Sequence, residues 1–204
     1  MIKVVVFDFD DTLYNTDVWY KWADFCDKTI RQCLPHYTES EVLQFIKKYN
    51  LTNACNGNVI AEALIKETGN DTAWEILRDG LYAEAKDVKF VNNKIIENFA
   101  KYFELYIVSF SPIDFIRYYS EKHNFDLSHF KKILGNDKNQ CENNKKSVFE
   151  QIIKDTNIAP QEMCVIGDNY LRDIAPAKYL GCHTIQVSKI SEINNNMLKL
   201  VQKM

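Results

Sequence analysis

Glycine and proline are scarce in this chain, six and four among 204 residues, which excludes collagen-like and Pro/Gly-rich low-complexity proteins. Long apolar runs are missing too. No stretch reaches the ~20 residues that a membrane-spanning helix needs. The opening run Met1-Ile2-Lys3-Val4-Val5-Val6-Phe7 is cut off by Asp8 before it is long enough for a secretory leader. A cytoplasmic protein without a membrane partner is expected. Neither sign of charge dominates: 25 Lys and Arg face 28 Asp and Glu, a net charge of -3. The basic footprint of a duplex-binding protein is therefore absent, and no nucleic acid polymer is expected as a partner. The six cysteines make no C-x-x-C pair and have no histidine at zinc-ligand spacing, so free thiols are expected. His36, His123, His129 and His183 share no spacing and are read as surface or packing residues.

What is present is the composition of a globular protein, 46% hydrophobic and 26% charged, long enough for one sizeable core with a smaller insertion. Lys3 to Asp8 is a β-branched apolar run ending in Asp8-Phe9-Asp10-Asp11-Thr12. That is the pattern of a strand buried on both faces that delivers polar groups at its C-terminal end. From Asp17 to Lys86 no comparable strand follows; Trp19, Trp22/Ala23, Cys26, Ile30 and Val42, Phe45/Ile46, Tyr49 recur at helical spacing and predict about four helices. Leu34-Pro35 ends the first, Thr38 with Glu41 is a capping box for the second, Asn53 to Asn58 is a polar loop before the third, and Gly69-Asn70 divides the third from the fourth.

After Asp87 helix and strand alternate. Strands are expected at 104–109, 132–135, 163–167 and 183–187, with helices at 92–102, 112–123, 145–155, 171–180 and 190–204. The predicted fold class is α/β, a doubly wound, Rossmann-like parallel sheet built from residues 1–15 and 88–204, with a helical cap inserted at 16–87.

In an open parallel sheet the ligand lies outside the carboxyl ends of the strands, so the strand ends carry the chemistry. Asp8 and Asp10, two residues apart in an extended segment, point to one side. The second apolar strand contributes the Ser109 hydroxyl, the strand at 163–167 contributes Gly167-Asp168 with Asp173 five residues on, and the start of the 145–155 helix contributes a lysine. Carboxylates converging on one spot cannot all stay ionised without a cation, and an all-oxygen set suits a hard divalent ion, Mg²⁺ above all. Such a metal beside a carboxylate, a hydroxyl and a lysine meets the needs of phosphoryl transfer.

These residues resemble the motifs of the haloacid dehalogenase-like (HAD) hydrolase superfamily. Asp8-Phe9-Asp10-Asp11-Thr12 is similar to its D-x-D-x-T, Ser109 to the residue ending its second apolar strand, and Gly167-Asp168-Asn169-Tyr170-Leu171-Arg172-Asp173 to its G-D-x-x-x-x-D. The insertion after the first motif resembles the small α-helical cap of subfamily I. The resemblance implies that Asp8 is the nucleophile that forms an aspartyl-phosphate, and that Asp10 is general acid and then base. It also implies that Ser109 hydrogen-bonds the phosphoryl group, that Lys145 offsets its charge, and that Mg²⁺ is held by Asp8, the Asp10 carbonyl and Asp168, with Asp173 as a further ligand or an orienter. Lys145 and Lys146 are adjacent; Lys145 is favoured because Phe149, four residues on, faces the core, with Lys146 the alternative. Two positions depart from the pattern: Asp11 stands where the family has glycine, and Phe110 replaces the usual Asn or Gly.

The function expected is hydrolysis of a small phosphorylated metabolite by a Mg²⁺-dependent phosphatase, monomeric or homodimeric. A phosphomutase acting on a sugar phosphate and a catalytically silent binding or regulatory protein are the alternatives. Trp19, Tyr20, Trp22 and Phe25 could form a stacking platform, but at their spacing at least Trp19 and Trp22 are read as cap core. Asn53 and Asn56, in the polar loop, are the candidates for substrate choice, and the run Asp137 to Lys146 is read as a solvated loop.

Overall fold

Val4-Val5-Val6-Phe7 alternates its side chains across a strand buried on both faces, every one of the four at most 1% exposed. A computed structural model describes residues 1–16, 18, 22–51, 57–69, 71–84, 87–135 and 145–204. The strands are β1 (Val4–Phe7), β2 (Tyr14–Asn15), β3 (Lys89–Phe90), β4 (Glu104–Val108), β5 (Phe130–Leu134), β6 (Met163–Gly167) and β7 (His183–Gln186). The main sheet runs β5-β4-β1-β6-β7, and each neighbouring pair is parallel. The strand order therefore reverses at β1, which opens a crevice at its carboxyl end.

Helices cover both faces of this sheet. On one, Val4, Val6, Tyr106, Val108, Met163 and Val165 form a buried cluster with Phe149 and Ile152 of α7 (Lys146–Thr156) and Ala177 of α8 (Ala175–Tyr179). On the other, Phe7 meets Phe99 of α5 (Asn93–Ala100) edge-on with ring centroids 5.4 Å apart. The remaining core helices are α6 (Ile113–Lys122) and α9 (Asn195–Val201).

The chain divides into two compact units, Met1–Asn15 with Val88–Met204, and Thr16–Asp87. The second unit carries α1 (Trp22–Cys33), α2 (Glu39–Lys48), α3 (Gly57–Thr68) and α4 (Ala73–Glu84). Phe25, Ile30, Val42, Phe45, Ile60 and Leu64 are among its buried apolar residues. The capping box forms: Glu41 N–H donates to Thr38 Oγ1 at 3.4 Å and Thr38 N–H to Glu41 Oε2 at 2.7 Å. Gly69 takes φ +68°, the left-handed conformation that ends α3. Cys26, Cys33, Cys164 and Cys182 are free thiols. Among the described residues no helix is long and apolar enough to cross a membrane.

Three elements differ from expectation. The helix expected over 171–180 is a π turn, Tyr170–Ile174, followed by the short α8, because Asn169 caps the turn through Leu171 N–H and Arg172 N–H. The closing helix is shortened to a 3₁₀ turn at Ile190–Glu192 and α9, since the Asn194 side chain accepts from Asn196 N–H and Met197 N–H and starts a new helix there. The antiparallel β2–β3 pair, two residues a side, was not anticipated. Asn53, Asn56, Trp19, Tyr20 and residues 137–144 lie outside the described residues.

The β2–β3 pair matters because it anchors the loop after β1. Phe9 is fully buried and stacks on Tyr14 at 5.2 Å, and Tyr14 in turn touches Phe90, Phe115 and Tyr119. The Phe9 carbonyl accepts from Thr12, Leu13 and Tyr14 N–H groups. Phe9 is thus the peg between Asp8 and Asp10. Phe9→Ala is expected to lower stability by about 3–5 kcal/mol, the usual cost of deleting a buried aromatic; a urea midpoint close to wild type would contradict its anchoring role.

Candidate active site

Register brings the strand ends level. Phe7 pairs with Ile107 on β4 and with Ile166 on β6, and Asp8 N–H continues the ladder to the Ile166 carbonyl at 2.9 Å. Ser109 and Asp168 therefore leave their strands beside Asp8. Asp8 is 7% exposed, and its Oδ2 accepts from the Thr12 hydroxyl at 3.3 Å.

Lys145 is 2% exposed, with Nζ 2.5 Å from Asp8 Oδ1 and 2.6 Å from Asp173 Oδ1. Lys146 points elsewhere, to Glu150 at 3.6 Å and over the Tyr179 ring. Of the two candidate lysines, Lys145 is the one at the carboxylates. It is the residue before α7 rather than part of it, held by its N–H on the Arg172 carbonyl at 3.3 Å and by its carbonyl, which accepts from Phe149 N–H at 3.0 Å.

Asp10 faces hydroxyls. Its Oδ2 accepts from Ser109 Oγ at 3.1 Å and from Ser111 Oγ at 2.7 Å, while Oδ1 is buried with no hydrogen-bond partner among the described residues. Ser111 N–H also donates to Ser109 Oγ at 2.9 Å, which fixes the direction of the Ser109 hydroxyl. The loop carrying these serines closes against Gly135, where a Cβ would come within 2.7 Å of the Ser111 carbonyl oxygen. Ser111 went unassigned in the sequence, although its place two residues after Ser109 was the available signal.

The departure at Asp11 has a local explanation. Its φ is +54°, a conformation that favours glycine, and the Asn15 side-chain amide donates to its carboxylate. Asp and Asn are the non-glycine residues that tolerate this region best.

Burial and crowding set the electrostatics. Burial pushes the Asp8 carboxyl well up; Lys145 pulls it back, while Asp173 and Asp168 raise it further. Asp10 is raised to about 7, first by burial and then by Asp8, against the hydroxyls of Ser111 and Ser109. Asp168 is raised to about 6, mainly by burial, with Asp173 and Asp11 adding to it. Burial also opposes the charge of Lys145, but Asp8 and Asp173 outweigh it and hold the ammonium above its ordinary pKa. One buried cation thus serves an excess of carboxylates. Asp8, Asp168 and Asp173 each offer an oxygen within 4.8 Å of the others. An all-oxygen donor set short of positive charge fits a hard divalent cation.

Asp173 is 1% exposed; its Oδ2 accepts from Asn169 N–H at 3.0 Å and its Oδ1 ion-pairs with Lys145 Nζ at 2.6 Å. Its position depends on Gly167, where a Cβ would lie 2.6 Å from Asp173 Oδ2.

Parallel strands whose ends deliver carboxylates, hydroxyls and a buried lysine to one crevice fit a hydrolase or group-transfer site of the α/β class. The haloacid dehalogenase-like hydrolase family model matches residues 2–181, and the chain belongs to that family. No curated protein matches its sequence. Solved structures share the fold. A predicted HAD-like family hydrolase from Porphyromonas gingivalis aligns over 100% of both chains at TM-score 0.66 and 17% identity. The 2-haloacid dehalogenase of Pseudomonas syringae pv. Tomato DC3000 also aligns over 100% of both, at 0.65 and 16%. A HAD family enzyme of Bacteroides thetaiotaomicron, in complex with magnesium and inorganic phosphate, aligns over 91% of this chain and 94% of its own, at 0.61 and 14%.

Gly167→Ala is expected to cost about 1–3 kcal/mol, because the new methyl must displace the buried Asp173 carboxylate. Denaturant titration checks this, and an unchanged midpoint would mean that Asp173 can move freely.

Proposed function

We propose that this HAD-family hydrolase is a Mg²⁺-dependent phosphatase that cleaves a small phosphate monoester through an aspartyl-phosphate on Asp8. The observation that carries the reading is Asp10, a second carboxyl held by Ser109 and Ser111 beside the buried Asp8–Lys145 pair. Displacement of halide from carbon by Asp8, the chemistry named for the Pseudomonas relative, needs no such acid and no metal. Cleavage of a phosphate ester needs a proton for the leaving oxygen.

In the first step an Asp8 oxygen forms a bond to phosphorus while the bond to the leaving oxygen breaks, and protonated Asp10 gives that oxygen its proton. In the second, Asp10 takes a proton from water, the water oxygen bonds to phosphorus, and the Asp8–phosphorus bond breaks to release inorganic phosphate. Lys145 offsets charge on the transferring group, the Ser111 hydroxyl aims Asp10, and the Ser109 hydroxyl, which donates to Asp10 in the free site, would turn to the phosphoryl group when the ester binds. Asp8, the Asp10 carbonyl and Asp168 would hold Mg²⁺, with Asp173 orienting Lys145 beside them; the ion supplies charge neutralisation for the phosphoryl oxygens. A pKa near 7 suits a group that must both give and accept a proton.

Asp8→Asn is expected to lower phosphate release by at least about a thousandfold with the fold retained, since an amide cannot serve as the nucleophile. Near wild-type kcat in this variant would overturn the reading. EDTA is expected to stop release of inorganic phosphate from a panel of esters and added Mg²⁺ to restore it, with Ca²⁺ a poor substitute. Full activity in chelator would rule out the metal, and transfer of phosphate to a second hydroxyl of a sugar phosphate in place of release would favour a mutase.

A further inference from the structure

Phe110 stands directly after Ser109, and its ring has a cation on either account: Lys145 Nζ lies 5.6 Å from the centroid and Arg172 Cζ 5.2 Å. Both distances fall within the range of cation–π attraction. Arg172 belongs to the π turn between Asp168 and Asp173, and its backbone is fixed at both ends. Its N–H donates to Asn169 Oδ1 at 3.1 Å, and its carbonyl accepts from Lys145 N–H at 3.3 Å. The backbone that sets Lys145 against Asp8 therefore also sets Arg172.

The guanidinium itself is unspent. Among the described residues Arg172 makes no ion pair, although acids crowd the neighbouring strand ends, and its side chain is only partly buried. An arginine whose backbone is fixed, whose plane is steered by an aromatic ring and whose donors are unused is organised to receive a planar or tetrahedral anion. The transferring phosphoryl group already has Lys145 and Ser109, so the anion left for Arg172 is a different one.

We propose that Arg172, steered by Phe110, is a specificity-determining residue that binds a second anionic group carried by the leaving portion of the phosphate ester. The substrate class is then a small phosphate monoester bearing a carboxylate or a second phosphate a few bonds from the scissile one. This assignment rests on the phosphatase reading. It also gives Phe110 a purpose: a polar residue there would contact the ester itself, whereas the ring holds a cation over it.

The test uses three esters of matched length: ethyl phosphate, 2-phosphoglycolate and ethane-1,2-diyl bisphosphate. Wild type, Arg172→Ala and Arg172→Lys are compared by kcat/KM with Mg²⁺ and, in the Asp8→Asn background, by affinity from calorimetry. Wild type is expected to prefer one or both esters that carry a second anionic group over ethyl phosphate, and Arg172→Ala to reduce that preference by about tenfold or more, with Arg172→Lys between them because it keeps charge without the fork. The ester whose preference collapses names the anion. A wild type with no preference, or an Arg172→Ala variant that slows every ester by one common factor, overturns the assignment. If no ester is hydrolysed at all the phosphatase reading fails, and the affinities in the Asp8→Asn background still decide the role of Arg172.

Discussion

The Lys145 ammonium between Asp8 and Asp173 is the contact on which the rest of the site depends. All three side chains are nearly or wholly withdrawn from water. Removing either kind of charge would leave the other buried and uncompensated, a loss of several kcal/mol in typical proteins. Three segments far apart in sequence must meet to make it: the end of β1, the residue before α7, and the π turn after β6. The fold supplies the meeting point, because β1 lies at the reversal of strand order with β4 and β6 on either side. Phe149 and Ile152, one and two turns into α7, lock the helix on the sheet and so hold Lys145 at its post.

That arrangement is poor as a stability device. A single ammonium faces Asp8 and Asp173 directly, with Asp168 and Asp10 close by, and the carboxyls of Asp8, Asp10 and Asp168 are held up first by burial and further by their acidic neighbours. A hydrophobic cluster of the same volume would be at least as stable. The excess negative charge makes sense as a standing demand for cations. Local conflict of this kind, in a protein whose strands and caps otherwise agree with their sequence, marks a functional site.

The sheet was legible because apolar runs such as Val4–Phe7 and residues 105–108 end abruptly in polar residues, and strand ends are where α/β ligands bind. Asp8, Asp10, Ser109 and Asp168 follow from that rule alone. Shorter or more local features were not legible. The β2–β3 pair is too brief to show a period, and the π turn depends on one Asn169 side chain taking two N–H groups. Lys145 and Lys146 could not be separated by helical phase because Lys145 is outside the helix, at its cap, where the 3.6-residue period does not yet apply. Ser111 was missed for a related reason: its role comes from a loop folded back over Gly135, and its spacing from Ser109 does not by itself say which way that loop turns.

The two departures from the family pattern belong to different layers of the site. At Asp11 the replacement is conformational: the backbone keeps the left-handed turn that glycine would give, Asn15 ties the carboxylate down, and the neighbouring Asp8 and Asp10 keep their places. At Phe110 it is chemical, since a ring cannot donate to a phosphoryl oxygen but can hold cations at its face. The first change preserves the reacting groups, and the second alters what surrounds them. A site can exchange its surroundings freely only if the reacting groups are positioned from elsewhere, and here they are: Asp8 by the ladder to β6, Asp10 by two serines, Lys145 by α7 and the π turn. None of these holding contacts comes from the Phe110 side chain, so the surroundings can change there while the carboxylates and Lys145 keep their places, which is the physical condition for one α/β scaffold to serve many substrates.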